Sequence, residues 1–288
     1  MSRPHYPRAK VGSRIGPDLT VLDVVDETPG RHAVYVVWSD SAWAPLACKL
    51  FGSARKAERE SAILRSLDHP NVVRCFAPAM PGCVLTEFLE GPSLGRLVGD
   101  APQGRLTAGE AIRVAIHLGA ALNHVHRRGF VHLDVKPGNV IVARGRPVLF
   151  DFGWARPLDG ARPAEVAGTD PYIAPEEYRR ETVTPAADVF SLGVVLYESL
   201  TGELPFGEPT RRRPFPQLEL PPTPVRRHRP RLRAGLDEVV LACLARDPHE
   251  RPKLPELLTR LHGFIGAGPR MWPDGFEPQA PAIPALAA

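Results

Sequence analysis

Short apolar runs separated by turn residues occupy the first part of the chain, from Leu19 to Phe51. Residues 33–38 and 46–51 are the strongest of these runs, and a Thr28-Pro29-Gly30 turn precedes them. Segments rich in β-branched and aromatic residues and bounded by turns predict β-strands. Residues 72–76 and 84–88 predict two further strands on the same grounds.

One helix is predicted among these strands, over residues 53–67. Glu60 shares the helical spacing of Ile63, Leu64 and Leu67, so it lies on their inward face. A carboxylate on an inward face needs a cationic partner. The alternatives are that Glu60 is an ordinary solvated residue, or that the partnered carboxylate is Glu58, which falls off the apolar face.

The chain becomes mostly helical after Gly91. A capping box at residues 107–110 begins a helix that continues to Val125, and a second helix begins at Thr184-Pro185 and ends near Gly202. Two more helices are predicted over 236–244 and 254–265. A small β-rich half over 19–90 therefore precedes a larger helical half over 91–266, flanked by a loose arm over 1–18 and a Pro/Ala-rich tail over 267–288.

The composition excludes a mainly disordered or fibrous chain. Of 288 residues, 43% are hydrophobic and 24% are charged, which is ordinary for a globular protein. No apolar run approaches the ~20 residues that cross a bilayer, and the first ten residues lack the apolar segment of a signal peptide. We therefore expect a cytoplasmic protein with reduced cysteines.

Lysine is scarce in this chain, which makes each lysine informative. The net charge of +4 is mild and does not by itself indicate nucleic acid. Of the 36 basic residues only five are lysine. A function that requires lysine must therefore use Lys10, Lys49, Lys56, Lys136 or Lys253.

Polar residues with metal-binding chemistry follow the first long helix. A loop at 132–139 leads into the apolar run 140–142, and a short turn leads into a second run that ends at Asp151. Asn139 and Asp151 therefore converge at the ends of adjacent strands. Their carbonyl and carboxylate oxygens are hard ligands, suited to a Mg²⁺ ion that a phosphate also holds.

Here the sequence resembles the protein kinase family. The family's catalytic loop H-R-D-x-K-x-x-N matches residues 132–139, with Leu133 in place of the arginine. The D-F-G motif is present at 151–153 and the A-P-E motif at 174–176, after the run 168–172. Residues 188–193 match the family's central helix, and 247–252 match its late arginine motif. Five motifs in family order across about residues 19–266 form a specific signal.

The resemblance implies a two-lobed α+β fold, with a small β-rich N-lobe and a larger α-helical C-lobe. It also implies a bacterial-type serine/threonine protein kinase that uses ATP and Mg²⁺ and acts on a protein substrate. Asp134 would accept or orient the proton of the substrate hydroxyl, Lys136 would neutralise charge on the transferred group, and Thr169 would bond near both. The catalytic set that the resemblance implies is Lys49, Glu60, Asp134, Lys136 and Thr169.

The nucleotide site is also implied by the resemblance. Lys49 would bind the α- and β-phosphates and pair with Glu60, and Asn139 and Asp151 would hold the metal ions. Around the adenine ring, Thr86 would be the gatekeeper, Glu87 and Leu89 would offer backbone groups, and Ala47 and Ile141 would sandwich the ring, with Val34 on the strand after the phosphate-covering loop. This interpretation requires residues 49, 60, 134, 139 and 151 to gather around one magnesium-bound triphosphate.

Two departures from the family pattern matter. The three glycine positions of the phosphate-covering loop hold Glu27, Pro29 and His32. Because the loop lacks these glycines, the alternative function is a pseudokinase-like scaffold with weak or absent nucleotide binding. Leu133 replaces an arginine that reads a phosphate on the activation loop in many kinases, and residues 154–167 contain no Ser, Thr or Tyr. We therefore expect activity without activation-loop phosphorylation.

An arginine-rich stretch at 211–233, interrupted by prolines, does not belong to these motifs. It is either a solvated loop or a dock for an acidic partner. A small-molecule phosphotransferase of related fold is a further alternative to a protein kinase. Lys136 and the segment 168–176, which would shape a peptide site, argue against it.

Overall fold

A computed structural model describes residues 9–28, 32–78, 80–159 and 166–265. The chain divides into two compact units between Leu89 and Glu90. The first unit contains a six-stranded antiparallel sheet in the order β1-β2-β3-β4-β6-β5 and one helix. Its elements are β1 Arg14–Ile15, β2 Leu19–Thr28, β3 His32–Ser39, β4 Ala44–Phe51, α1 Ala54–Arg65, β5 Cys75–Phe76 and β6 Cys83–Glu87.

Side-chain alternation gives this sheet two distinct faces. One face is the core of the unit, where Ala33, Tyr35 and Val37 of β3 are fully buried. The opposite face of β3 presents Val34, which stands across from Lys49 of β4. The sheet therefore places Lys49 on the face that is not filled by this core.

The second unit is mostly helical and contains two small sheets, β8-β9 and β7-β10. Its centre is α5, which is buried over most of its length and packs against α3 and α7. A Cβ atom on Gly193 of α5 would lie 2.7 Å from the Cβ of Cys243, so this close approach of α5 and α7 requires glycine. The elements are α2 Leu94–Asp100, α3 Ala108–Arg127, β7 Phe130–Val131, β8 Val140–Ala143, β9 Arg146–Leu149, β10 Arg156–Pro157, α4 Pro175–Tyr178, α5 Pro185–Thr201, α6 Val225–His228, α7 Leu236–Cys243 and α8 Leu254–His262.

The predicted α+β fold, with a small β-rich lobe followed by a larger helical lobe, is confirmed. Local signals fix the ends of the long helices. Thr107 and Glu110 form both bonds of the capping box at the start of α3. Thr184 caps α5, and Gly202 ends it in the left-handed conformation, with φ 77°.

Several local predictions differ from the structure. Only residues 75–76 of the predicted strand 72–76 form a strand of the sheet, and Val72 and Val73, which precede it, are buried. The segment predicted as a loose arm contains β1, which pairs with β2. The short helices α2, α4 and α6 were not predicted, because one or two turns leave little periodicity to detect. Residues 1–8 of the arm and the tail over 267–288 lie outside the described residues.

The length and hydropathy of the helices show whether any of them could cross a membrane. Within the described ranges, none of them combines the length and the hydropathy that a transmembrane span requires.

Candidate active site

The first unit contributes an ion pair between its sheet and its helix. Nζ of Lys49 lies 3.3 Å from both carboxylate oxygens of Glu60. Glu60 is only 3% exposed, because it shares the inward face of α1 with Ile63 and Leu64. Glu58, the competing carboxylate, is exposed. The structure therefore pairs the lysine and the glutamate that the sequence analysis paired.

The residues predicted around the adenine ring lie on the strands near Lys49. Ala47 precedes Lys49 by two residues on β4 and stands across from Thr86 of β6, so all three share one face of the sheet. Val34 belongs to the same face. Glu87 ends β6, where its N–H donates to the carbonyl of Arg74 at 2.9 Å. Leu89, which follows the strand, is half-buried.

The strand register shows on which face of the sheet two of the three residues at the glycine positions lie. Glu27 stands across from Ala33, on the face opposite to Lys49, and its carboxylate accepts a hydrogen bond from the Tyr35 hydroxyl at 2.9 Å. His32 lies on the Lys49 face, where its ring nitrogen is 3.1 Å from the carboxylate of Asp26. The prediction at Pro29 lies outside the described residues.

In the second unit, three predicted residues converge on the carboxylate of Asp134, which is 4% exposed. Its Oδ1 accepts a hydrogen bond from the Thr169 hydroxyl at 2.9 Å. Its Oδ2 accepts from Nζ of Lys136 at 2.9 Å and from the amide nitrogen of Asn139 at 2.7 Å. Nζ of Lys136 also donates to the Thr169 hydroxyl, at 2.6 Å. The network fixes the orientation of the carboxylate.

A close backbone contact brings Thr169 to this network. Gly168 has φ 97°, and a Cβ atom there would lie 2.4 Å from the carbonyl oxygen of Leu133. Glycine is therefore required where the segment before Thr169 passes the catalytic loop. Leu133 itself has φ 65° and is buried.

Asp188 of α5 supports the catalytic loop from behind. Its carboxylate accepts hydrogen bonds from the N–H groups of His132 and Leu133 at 2.9 and 2.8 Å, and it contacts the His126 ring at 2.7 Å. Desolvation by burial would raise the pKa of Asp188, but the hydrogen bonds and electrostatic interactions with His126 and His132 together hold the pKa below its usual value. The sequence analysis assigned Asp188 to the central-helix motif but did not predict that it positions the catalytic loop.

Asn139 and Asp151 provide oxygen atoms that suit a hard cation. The amide nitrogen of Asn139 donates to both the backbone and the side chain of Asp134, which leaves its carbonyl oxygen as the ligand atom. The N–H of Phe150 donates to the backbone carbonyl of Asn139 at 3.0 Å, so Asp151 follows directly beside it. Asp151 has φ 61°, a costly conformation that is typical of functional sites.

The chemistry of this donor set fits Mg²⁺ rather than a metal held by protein alone. Among the described residues, no group of three or more His, Cys, Asp or Glu side chains could hold a metal ion. Mg²⁺ is commonly bound by one or two protein oxygens together with substrate phosphates and water. Ile141, predicted on the nucleotide, is half-buried on β8 just beyond Asn139.

Other motif residues pack or pair within the fold. His132 is fully buried with its ring 4.5 Å from that of Phe152, and desolvation lowers its pKa, which keeps it neutral. Arg251 donates two hydrogen bonds to the carboxylate of Glu176, at 2.6 and 2.7 Å. These groups pack and orient the catalytic loop and the A-P-E segment.

Comparison with known proteins agrees with this geometry. The chain matches the protein kinase domain over residues 44–262, and it belongs to the protein kinase family. It is 33% identical over 243 residues to the serine/threonine-protein kinase PknB of Mycobacterium tuberculosis, covering 78% of this chain and 37% of that protein.

Other relatives give the same picture. Over 198 residues the chain is 37% identical to the probable serine/threonine-protein kinase PkwA of Thermomonospora curvata, covering 66% of this chain and 25% of the relative. Over 249 residues it is 32% identical to the serine/threonine-protein kinase pkn2 of Myxococcus xanthus, covering 79% and 30%. The matched region therefore spans less than half the length of each of these relatives.

Proposed function

We propose that this chain is a serine/threonine protein kinase that transfers the γ-phosphate of ATP to a protein hydroxyl. The observation that carries the proposal is the Asp134 carboxylate, oriented by Lys136, Asn139 and Thr169. The similarity to proteins named serine/threonine-protein kinases supports the same activity.

The proposed reaction is an in-line displacement at phosphorus. The substrate oxygen forms a bond to the γ-phosphorus as the bond from that phosphorus to the β-γ bridging oxygen breaks, and ADP leaves. Asp134 accepts the proton of the hydroxyl, and Nζ of Lys136, 2.9 Å from that carboxylate, neutralises charge on the transferred group. Thr169 holds both groups in register.

The same proposal assigns ATP-binding roles to the residues that the family resemblance implies. Lys49, oriented by Glu60, binds the α- and β-phosphates, while Val34, Ala47, Thr86, Ile141 and the backbone of Glu87 and Leu89 contact the adenine. Asn139 and Asp151 would hold Mg²⁺. The metal neutralises phosphate charge when it is bound.

The test is transfer of radiolabelled phosphate from ATP to a mixed protein substrate, followed by phosphoamino-acid analysis. We expect phosphoserine and phosphothreonine, and a loss of about 100-fold or more for Asp134→Asn. Asp100→Asn is the matched control, because Asp100 is exposed and its carboxylate pairs with Arg96 of the same helix. Label on tyrosine alone, or equal activity of Asp134→Asn and wild type, would overturn the proposal.

The pseudokinase-like scaffold is the alternative that the eroded loop raises. Repulsion of the ATP phosphates by Glu27 would support the scaffold, but the Glu27 carboxylate is on the face opposite to Lys49. Thermal unfolding with millimolar Mg-ATP separates the two functions. A kinase is stabilised by the nucleotide, and absence of any shift favours the scaffold.

Activity without activation-loop phosphorylation is the second part of the proposal. Leu133 is buried and its N–H is bonded to Asp188, so its apolar side chain cannot bind a phosphate. Phosphatase treatment of purified protein should leave the rate of transfer unchanged. A large loss of activity would show that a phosphate elsewhere is needed. The cytoplasmic location, the protein substrate and an acidic partner at residues 211–233 remain predictions.

A further inference from the structure

A basic pocket lies in the second unit, among residues with no part in the proposed reaction. It has a volume of about 530 Å³ and is lined by Arg105 before α3 and by Arg229, Arg231 and Arg233 after α6. His228 and Ala108 also line it. The tertiary fold thus adds Arg105, more than a hundred residues away, to part of the arginine-rich stretch.

The backbone holds three of these guanidinium groups in place. Arg105 donates to the carbonyl of His228 at 3.0 Å, and Arg229 donates to the carbonyl of Leu106 at 3.0 Å. Arg233 donates to the carbonyl of Phe264 at 3.1 Å and stacks over its ring. The charges are therefore arranged before any ligand binds, which reduces the entropy cost of binding.

The charged side chains that line the pocket are all basic. No Asp or Glu lines it, and within the described residues none of its four arginines forms an ion pair. Arg213, in the same stretch but outside the pocket, does pair with Glu219. Burial and the neighbouring charge of Arg105 lower the pKa of Arg229, as expected where cations crowd together.

The start of α3 adds to this field. Ala108, the first residue of that 20-residue helix, lines the pocket. A helix N-terminus carries partial positive charge and favours an anion beside it.

We propose that this pocket binds a phosphate group carried by a ligand, and that Arg231 is the group that closes on it. A concavity of this volume suits a small ligand or one side chain rather than a duplex or a bilayer surface. Several guanidinium groups without a carboxylate suit a dianionic phosphate better than a single carboxylate, because each planar guanidinium can donate two parallel bonds. Arg231 is exposed, so it can move onto the ligand.

The test measures binding, not phosphoryl transfer, so it stands apart from the kinase proposal. A short serine peptide with and without phosphorylation, and inorganic phosphate, are titrated into the intact chain by calorimetry at 50 and 150 mM NaCl. We expect the phosphopeptide to bind, the unmodified peptide not to bind, and the affinity to fall with added salt. Arg231→Gln should weaken binding about tenfold or more.

Arg227→Gln is the matched control, because Arg227 is an exposed arginine of the same stretch that does not line the pocket. It should change affinity by less than about twofold if the pocket is the site. Binding of inorganic phosphate as tight as the phosphopeptide would assign a free phosphorylated metabolite as the source, and tighter peptide binding a phosphorylated segment. Absence of binding at 10 mM ligand, or equal losses for Arg227→Gln and Arg231→Gln, would overturn the proposal.

Discussion

Each unit of the molecule contains a buried glutamate that is paired with a basic residue, and these two pairs differ in kind. In the first unit the Lys49 ammonium lies 3.3 Å from both oxygens of Glu60, and its side chain is 15% exposed. In the second unit the Arg251 guanidinium bonds Glu176 at 2.6 and 2.7 Å, with side chains 0% and 1% exposed. The first pair is longer and reaches solvent, whereas the second is short and sealed.

This difference indicates which of the two ion pairs has a basic group that is able to bind a ligand. Arg251 also donates to the backbone carbonyls of Ala186 and Ala245, both at 2.8 Å, so its donors are committed to the fold. An ammonium on a flexible stem can exchange or share partners with a phosphate, since its three donors have no fixed plane. Ion pairs that look alike in sequence thus divide into one that holds structure and one that can meet substrate.

The largest effect that tests this comparison is on stability. Removing one partner of a fully buried pair costs about 3–5 kcal/mol, because the other charge is left buried and unpaired. We therefore expect Arg251→Met to lower the free energy of unfolding by that amount in urea denaturation. Arg246→Met, at a nearby exposed arginine, should stay within about 0.5 kcal/mol. Equal losses for the two variants would remove the distinction.

The next effect is on activity. Lys49→Met should reduce phosphoryl transfer about 100- to 1000-fold, because one fixed cation is lost from the phosphates. Its unfolding free energy should fall by less than that of Arg251→Met, since Lys49 reaches solvent. Lys56→Met is the control, because Lys56 is exposed on α1. A loss of stability as large as that of Arg251→Met would show that the Lys49 pair is structural as well.

The third effect concerns Glu177, the neighbour of Glu176 on α4. It is buried, its Oε2 has no hydrogen-bond partner among the described residues, and desolvation raises its pKa well above the ordinary value of 4.5. As the pH rises, the unfolded state loses the proton of this carboxyl at a lower pH than the folded state does. The free energy of unfolding therefore falls as the pH rises above about 4.5 towards the pKa of the folded state. The full contribution of Glu177 to the free energy of unfolding is present only below this pH range.

Glu177→Gln removes this titration and keeps an oxygen that can accept from the N–H of Ala174. The fall in unfolding free energy between pH 5 and pH 8 should shrink by about 1 kcal/mol or more relative to wild type, measured by urea denaturation at both values. An unchanged pH profile would show that this carboxyl is not protonated in the folded state.

The smallest effect sharpens the account of the strands next to Lys49. Glu27 lies on the opposite face and Asp26 on the Lys49 face. Glu27→Gln should therefore change the KM for ATP by less than about twofold, whereas Asp26→Asn should lower KM more by removing a negative charge on the phosphate side. Steady-state kinetics at fixed peptide concentration measure both. A larger fall in KM for Glu27→Gln would mean that its carboxylate does repel ATP.

Much of the fold and part of the site followed from local pattern. The capping box at Thr107, the spacing that turns Glu60 inward, and the order of the motifs gave the helices and the two-lobed organisation. What local pattern missed were the short helices, the pairing of β1, and the use of Arg105 and Arg229 in one pocket, because each depends on contacts between distant segments.

The chain by itself determined its chemistry: two scarce lysines at motif positions, and an Asp, a Lys and an Asn within six residues of one loop. Tertiary structure decided which charges meet. Gly168 brings Thr169 to Asp134 only because no side chain separates it from Leu133, and the register of β2 against β3 turns Glu27 away from Lys49. Motif spacing records residue types over a few positions, whereas electrostatic effects depend on distance, face and burial, which packing sets.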